Sequence, residues 1–454
     1  MAEASLLLRE KVIDLVSEGY GVLRPPNAPA VFVPFVIEGE EVEVRITQRK
    51  RQLWYGEAIR WHVTVPQRTQ PACADFGRCG GCRWQMMTYA HQLHHKRRFV
   101  EQALRTIGRL SIEVPAVVPS PSPWHYRNKA EYAFGTEASG ELVLGFHPRG
   151  AFDRVIGLQE CQIVPPVFEA IRQSVLRRAR AGKWPAYDTR THKGLLRGLL
   201  LRGTSEAVVA LLILAEDRPE VAEALLRPLL TEMPSITGLG YIPNPKRNDS
   251  LHDLTPKRLE GRLEVAFQVE GRTYWVGPKA FFQVNLSQAA QLLRWIRARQ
   301  RAHRPPLYDL YGGVGFFGIG LADLSARVVL VERLPEAAES AIYNFQYNQA
   351  AFPDTPWEVH VGAVETVLPQ IGIAEGAVAL VDPPREGLHP RLIRFLRAAP
   401  FTEIFYVSCH PATQARDLHA LADSYEVVEV QPFDLFPHTT AVENLAWLRR
   451  KKPN

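Results

Sequence analysis

The chain is poor in cysteine and has no long apolar segment. Only 5 of its 454 residues are cysteine, and a sparse, odd number argues against a disulfide framework and for metal binding or catalysis. The longest apolar run, 208–215, is far shorter than the roughly 18 residues of a membrane helix and predicts a buried strand. No basic region followed by an apolar core opens the sequence, so we expect a cytoplasmic protein without a membrane partner.

Low-complexity sequence and internal repeats are also missing, and the charge is only weakly biased. Hydrophobic residues make up 46% of the chain and charged residues 22%, the balance of a folded globular protein rather than a disordered or fibrous one. At roughly 150 residues per domain, the length predicts about three domains. The net charge of +6 is compatible with an RNA partner.

Short β-rich runs separated by glycine and proline occupy the first 66 residues. Their spacing is typical of a small antiparallel barrel or of another small β domain. In the next region, 89–110 has helical spacing, and 126–134 interleaves basic residues with tyrosines, which suits an RNA surface or an ordinary sheet face. The polar side of the predicted helix is strongly basic, with Lys96, Arg97, Arg98, Arg105 and Arg109.

From about residue 267, strand and helix patterns alternate, which predicts a doubly wound α/β domain. Its glycine loop follows a strand and opens a helix, where backbone amides can approach a ligand closely. Gly313, Gly315 and Gly318 match the dinucleotide fingerprint, and Glu332 ends the next strand, where it would bind ribose hydroxyls. The loop alone fits a dinucleotide or S-adenosylmethionine equally well.

Two later strands end at the same predicted edge of the sheet. Asp382 begins the sequence DPPR after one strand, and Cys409 lies in SCHP after the next. A cysteine after an apolar strand is commonly a small core residue. Because ligands bind at the carboxyl ends of such strands, its position near the glycine loop and Asp382 instead favours a reactive thiol.

Together these motifs resemble those of the RNA uridine-5-methyltransferase family. The last third of the chain carries, in family order and spacing, FFQVN at 281–285, DLYGGVG at 309–315, Glu332, DPPR at 382–385, SCHP at 408–411 and FPHTTAVE at 436–443. The earlier part extends the likeness over nearly the full length. The barrel resembles a TRAM domain, and CADFGRCGGCRWQ with Cys161 resembles the iron–sulfur motif of the members that act on ribosomal RNA.

The resemblance implies three domains. An all-β OB-like TRAM barrel that binds RNA (1–66) and an α+β central domain with an iron–sulfur cluster (67–266) precede a Rossmann-like S-adenosylmethionine-dependent methyltransferase domain (267–454). We therefore expect a monomeric enzyme that forms 5-methyluridine in RNA, with 23S ribosomal RNA as target and the T loop of tRNA as the alternative. A non-catalytic RNA-binding or assembly factor on the same fold and a dinucleotide oxidoreductase are the rival interpretations.

The chemistry assigns roles to single residues. Carbon 5 of uracil is a poor nucleophile, so a thiolate must first attack carbon 6, and we assign this thiolate to Cys409. By resemblance, Glu443 is the base that removes the proton from carbon 5. Also by resemblance, the residues that hold S-adenosylmethionine are Gln283, which would equally suit a helix cap, Tyr311, Gly313, Glu332 and Asp382.

Three positions depart from the family pattern. Phe316 stands where the family usually has asparagine, Gly362 where a polar residue often contacts the cofactor, and His410 where asparagine usually follows the nucleophile. These changes bear on cofactor affinity and on the contacts to uracil. They leave the nucleophile, the base and the ribose-binding acid in place.

The remaining four cysteines are Cys73, Cys79, Cys82 and Cys161. Four thiolates suffice for a tetrahedral zinc ion or a [4Fe-4S] cluster. Zinc sites commonly comprise two close pairs, so one CxxC with a third cysteine nearby and a fourth far downstream favours the cluster, as the resemblance also implies. Because methyl transfer needs no electron, we expect a structural cluster.

Overall fold

The computed structural model describes residues 6–26, 28–300 and 304–452. Its first sheet, formed by the N-terminal strands, curls back on itself. Its strands are β1 (Leu7–Lys11), β2 (Asp14–Leu15), β3 (Tyr20–Leu23), β4 (Ala30–Pro34), β5 (Glu41–Arg49) and β6 (Leu53–Val63), in the order β1-β5-β6-β4-β3-β2. β1 and β2 lie at opposite edges although only two residues separate them: Val12 donates its N–H to Glu40, whereas Ile13 donates to Val22. The two edges therefore meet around a core of valines. The pair β4 and β6 is parallel rather than antiparallel. β5, which lies between them in the sequence, runs in the opposite direction, so β6 has the direction of β4 again.

Helix α1 (Tyr89–Thr106) follows the three clustered cysteines. Its buried face packs on the last domain through Val100, Ala103 and Leu104. Part of its predicted basic face is engaged inside the protein: Lys96 is fully buried against Asp434, and Arg98 contacts Asp14 and Glu38. Acidic partners from distant segments therefore neutralise two of the five cations on the face that the sequence predicted to be basic.

The central sheet contains seven strands with helices on one face. These are β7 (Lys129–Thr136), β8 (Leu142–Phe146), β9 (Ile156–Gly157), β10 (Leu196–Gly203), β11 (Val208–Leu214), β12 (Ile236–Pro243) and β13 (Lys257–Gly261), in the order β13-β12-β11-β10-β7-β8-β9. The packed helices are α2 (Pro166–Ala181), α3 (Pro219–Leu226) and α4 (Leu229–Glu232). β11 is buried along its whole length, which confirms the strand predicted from the apolar run.

A hairpin, β14 (Val265–Val269) and β15 (Arg272–Val276), leads into the last domain. There the strands are β16 (Leu307–Leu310), β17 (Val328–Glu332), β18 (Trp357–Val361), β19 (Val378–Val381), β20 (Glu403–Ser408), β21 (Tyr425–Phe433) and β22 (Glu443–Arg450). The helices are α5 (Leu286–Arg299), α6 (Phe316–Leu321), α7 (Pro335–Asn348), α8 (Val364–Ile371), α9 (Pro390–Ala398) and α10 (Pro411–Leu421).

This last sheet has the order β18-β17-β16-β19-β20-β22-β21. The first five strands are parallel, and β22 alone runs against its neighbours. Alternate apolar residues along the strands belong to two hydrophobic clusters, one on each face of the sheet. Both faces are therefore covered, which confirms the prediction of a doubly wound α/β domain. Within the described ranges, no helix has the length and apolarity needed to cross a bilayer.

Candidate active site

The carboxyl ends of the parallel strands form a crevice at one edge of the last sheet. β16 pairs with β17 on one side and with β19 on the other, so chain order reverses at β16. The in-register pairing places Tyr311, Glu332 and Asp382 in a row across this edge. Such a reversal point is where open α/β sheets bind their ligands.

The glycine loop leaves β16 through left-handed backbone. Tyr311, Gly313 and Gly315 have φ values of +65°, +54° and +90°, and such a conformation in a tyrosine is uncommon outside functional sites. Glu332 closes the loop, since its carboxylate accepts the N–H of Gly313 at 2.9 Å and that of Leu334 at 2.7 Å. Each oxygen keeps a free lone pair that can accept a ribose hydroxyl.

Gln283 lies on the opposite wall of the crevice. Its amide donates to Asp382 Oδ2 at 3.3 Å, and its backbone carbonyl accepts the side-chain amide of Asn128 at 2.9 Å. Gln283 is not the helix cap, because Asn285 caps α5 by accepting the N–H of Gln288. The central domain therefore fixes this wall through Asn128, a contact that spacing in the sequence could not reveal.

Two carboxyl groups of the crevice are difficult to ionise. Burial raises the pKa of Asp382 to about 7, and the charge of Asp309 adds to the effect. Burial also raises the pKa of Glu443 well above its usual range, with the charge of Asp382 adding to the rise and Arg385 opposing it. Carboxyl groups that influence each other in this way titrate as a set rather than independently.

Asp309, the first residue of DLYGGVG, is a further carboxyl group of this set, and its role was not predicted from the sequence. It is fully buried in β16, and its Oδ2 accepts the N–H of Gly318 at 2.7 Å at the start of α6. Burial raises its pKa to about 7. Its position inside the apolar run LYDLY could have identified it, because a carboxyl group buried in a strand requires a specific partner.

The candidate nucleophile and base come from neighbouring antiparallel strands. Ser408 of β20 pairs with Asn444 of β22, so Cys409, one residue later, stands opposite Glu443, one residue earlier. Facing residues of this kind have Cα atoms about 4.5–5.5 Å apart. Burial, with the charge of Glu443 adding to it, raises the pKa of the Cys409 thiol to about 11, whereas Arg385 lowers it through its charge and a hydrogen bond.

The three departures from the family pattern all have structural roles. Phe316 is 6% exposed and packs in an aromatic cluster beneath the glycine loop. Gly362 donates its N–H to the Glu332 carbonyl at 2.8 Å with a φ of +152°, which disfavours a side chain. His410 caps α10 through Nδ1, which accepts the N–H of Thr413 at 3.3 Å.

The other four cysteines come together from two distant segments. Cys73 Sγ donates to the carbonyl of Glu160 at 3.8 Å, directly before Cys161. Burial raises the pKa of Cys82 and of Cys161 to about 12, and the negative charges of the neighbouring cysteines add to both effects. Among the residues with described positions, no three His, Cys, Asp or Glu side chains are spaced to ligate a single metal ion.

Comparisons with known proteins agree over nearly the whole chain. Residues 373–451 match the family described as tRNA (uracil-5-)-methyltransferase. An "uncharacterized RNA methyltransferase" of Bacteroides thetaiotaomicron is 33% identical over 96% of this chain and 99% of its own length, and one of Porphyromonas gingivalis is 34% identical over 97% and 99%. The structure of the Pyrococcus abyssi tRNA (uracil-54, C5)-methyltransferase in complex with S-adenosyl-L-homocysteine has a TM-score of 0.78 at 29% identity, over 97% of this chain and 99% of that one.

Proposed function

The chain belongs to the RNA (uracil-5-)-methyltransferase family, and from this premise we propose that it forms 5-methyluridine through a covalent bond between Cys409 and uracil carbon 6. The observation that carries the proposal is the register of β20 and β22, which brings Cys409 opposite Glu443. A nucleophile and a base close enough to act on one bound uracil are what this chemistry requires. We further propose that the enzyme acts as a monomer in the cytoplasm.

The crevice is suited to S-adenosylmethionine, which supplies a methyl group on a positively charged sulfur. Glu332 offers free carboxylate lone pairs to ribose hydroxyls, and the left-handed loop at Tyr311 and Gly313 lets a ligand approach the backbone. Gln283 and Asp382 supply polar groups on the opposite wall. The related structure with bound S-adenosyl-L-homocysteine supports the same choice of cofactor over a dinucleotide.

In the proposed reaction, Cys409 Sγ bonds to carbon 6, and the electron pair of the C5–C6 double bond moves toward the oxygen on carbon 4. That electron pair then returns through carbon 5, which bonds to the methyl carbon while the bond from this carbon to the cofactor's sulfur breaks and a neutral thioether leaves. Glu443 then removes the proton from carbon 5. The freed electron pair re-forms the double bond, and the bond from carbon 6 to sulfur breaks. Arg385, which lowers the pKa of the thiol, favours the thiolate at the start and at the end of this sequence.

The charges of Cys409 and Glu443 alternate during these steps. An ionised Glu443 raises the pKa of the thiol, so a protonated Glu443 favours thiolate formation. Once sulfur is bonded to carbon 6 it carries no charge and no longer opposes ionisation of Glu443. The raised pKa of Glu443 therefore suits a group that stays neutral during attack and becomes a base afterwards.

Cofactor binding should depend on pH through Asp382. Because the pKa of this group is about 7, its carboxylate becomes available to a positively charged amino group as pH rises. Binding of S-adenosyl-L-homocysteine should tighten about three- to tenfold between about pH 6 and pH 8, as measured by calorimetry. Asp382→Asn should remove this dependence, and Glu386→Gln, an exposed carboxyl group of the same segment, should retain it. An unchanged dependence in Asp382→Asn would show that Asp382 is not the titrating group.

We propose that Cys73, Cys79, Cys82 and Cys161 hold a [4Fe-4S] cluster. Their donor chemistry fits: the backbone N–H of Gly81 donates to Cys79 Sγ at 3.4 Å, and the charge of Arg127 lowers the pKa of Cys82. Donors and cations around bound thiolates offset the negative charge of such a group. A cluster here would tie the segment before α1 to the loop after β9.

Protein purified without oxygen should contain about four iron and four sulfide per chain, with a broad visible absorption. Cys79→Ser should lose both. Cys409→Ala is the matched control, since the fifth cysteine lies in the crevice and its loss should leave the iron content unchanged. Bound zinc without iron would contradict the proposal.

The proposed domains are a TRAM barrel (1–66), a central domain (67–266) and a catalytic domain (267–454). The barrel carries an aromatic patch of Tyr20, Phe32 and Tyr55, whose ring centroids lie 5.7–6.1 Å apart. Lys50 lies over Tyr55, and Arg149 of the central region lies 3.9 Å from the Tyr20 ring. Bases stack on aromatic rings while cations pair with phosphates, so this patch suits RNA.

The proposed substrate is 23S ribosomal RNA, because the barrel and the four-cysteine motif together resemble those of the family members that act on ribosomal RNA. The T loop of tRNA is the second candidate, favoured by the full-length likeness to the Pyrococcus abyssi enzyme. Mass-spectrometric mapping of 5-methyluridine in both RNAs, with and without the gene, tests the proposal. Loss of one 23S site supports it, loss in tRNA alone supports the second candidate, and loss in neither contradicts both.

A further inference from the structure

The loop 434–442 connects β21 to β22 and ends directly before the proposed base, Glu443. His438, in the middle of this loop, is 4% exposed and has a left-handed φ of +65°. Its carbonyl accepts the N–H of Arg83 at 2.8 Å and that of Trp84 at 3.0 Å. These donors are the two residues that follow the third cysteine of the four-cysteine motif, so that motif holds the loop directly.

Gln92 of α1 makes a second connection between the same two segments. Its Oε1 accepts the backbone N–H of His438 at 2.9 Å, and its Nε2 lies 3.2 Å from His438 Nδ1. The same Nε2 donates to the carbonyl of Trp84 at 3.0 Å. Gln92 is 1% exposed, and a buried amide with this many partners rigidifies the groups that it joins.

Further contacts from residues 83–126 hold the rest of the loop. The Trp124 ring stacks on the His438 ring at a centroid distance of 3.8 Å and an angle of 25°. Lys96 forms a fully buried ion pair with Asp434 and donates to a loop carbonyl at 2.9 Å, and the hydroxyl of Tyr126 donates to the next carbonyl at 3.1 Å. The path of the loop is therefore determined by the four-cysteine segment and the residues that follow it.

We propose that Gln92 and His438 are positioning residues for Glu443, which hold the loop so that the carboxylate reaches the proton on carbon 5. This proposal rests on the proposed function, because it takes Glu443 as the base. A base must lie within about 3 Å of the proton donor, or one water away, and a displacement of about 1 Å can cost about 10²-fold in rate.

Among the described residues, neither Gln92 nor His438 has a hydrogen bond to Cys409, although α1 also packs against α10. Cys409 follows β20 and precedes α10, where His410 forms the helix cap. Loosening the loop should therefore slow proton removal much more than attack on carbon 6. The consequence is specific: the methylated covalent intermediate should accumulate, which a general loss of stability would not produce.

Two variants of the holoenzyme test this positioning role. Gln92→Ala removes the side-chain connection, and His438→Gly removes the ring while keeping the carbonyl and a residue that tolerates positive φ. Single-turnover methyl transfer should stay within about twofold, whereas steady-state turnover should fall about ten- to hundredfold. An adduct of methylated RNA and protein should survive denaturing electrophoresis. Gln102→Ala, an exposed glutamine of the same helix, is the matched control and should form no excess adduct.

A parallel drop in methyl transfer and turnover without adduct would mean that Gln92 and His438 only stabilise the fold. Glu443→Gln, measured beside them, separates the two possible failures. If Glu443→Gln traps an adduct and the other variants do not, the positioning role alone is overturned. If none traps an adduct, the assignment of Glu443 itself is overturned. Should Gln92→Ala not fold, His438→Gly decides the matter.

Discussion

Replacing Cys409 with alanine should abolish methyl transfer, with a loss of about 10⁴-fold or more, because removal of a covalent nucleophile disables the site as a unit. Without the thiolate, carbon 5 of uracil is too weak a nucleophile to accept the methyl group. The measurement is transfer of a labelled methyl group from S-adenosylmethionine to RNA by the purified variant.

Two control measurements show whether Cys409→Ala has lost only its nucleophile or has also lost its folded structure. The side chain is half-buried at the rim of the crevice, so affinity for S-adenosyl-L-homocysteine and the iron content should both be unchanged. Undiminished methyl transfer would exclude Cys409 as the nucleophile. Full rescue of a deletion strain by this variant would indicate a non-catalytic role in RNA binding or assembly.

Replacing Glu443 with glutamine should lower turnover by about 10²- to 10⁴-fold and trap the RNA on the protein. The amide cannot take the proton from carbon 5, so the methylated intermediate cannot release Cys409. Attack should not be impaired, because the charge of Glu443 raises the pKa of the Cys409 thiol and glutamine removes that charge. Denaturing electrophoresis with labelled RNA and labelled methyl donor measures the adduct.

The matched control for this variant is Glu386→Gln, which neutralises an exposed carboxyl group in the segment after Asp382. It should turn over normally and leave no adduct. If Glu443→Gln is inactive and forms no adduct, Glu443 acts before methyl transfer and is not the base proposed here. If it retains full turnover, the base is another group of the crevice.

Much of the last domain could be predicted because its signals are local. Alternating strand and helix patterns predicted the doubly wound sheet, and several strand positions followed from short apolar runs such as 378–381 and 404–407. The antiparallel direction of β22 was not predicted, because a strand's direction depends on where the preceding loop leads the chain. The packing of α1 against α10 was missed for the same reason, since helical periodicity identifies a buried face but not its partner.

The sequence by itself determined which chemical groups are present: a thiol after a strand, a glycine loop, an acidic residue at the end of the next strand and four further cysteines. These are properties of residue type and spacing. Only the tertiary structure decided how the groups act on one another. The pairing of Ser408 with Asn444 brings Cys409 to Glu443, and the contact of Gln92 with His438 joins residues 346 positions apart. Burial and charges contributed by distant segments determine the raised pKa values of Cys409, Asp382 and Glu443, and no local pattern in a chain encodes such surroundings.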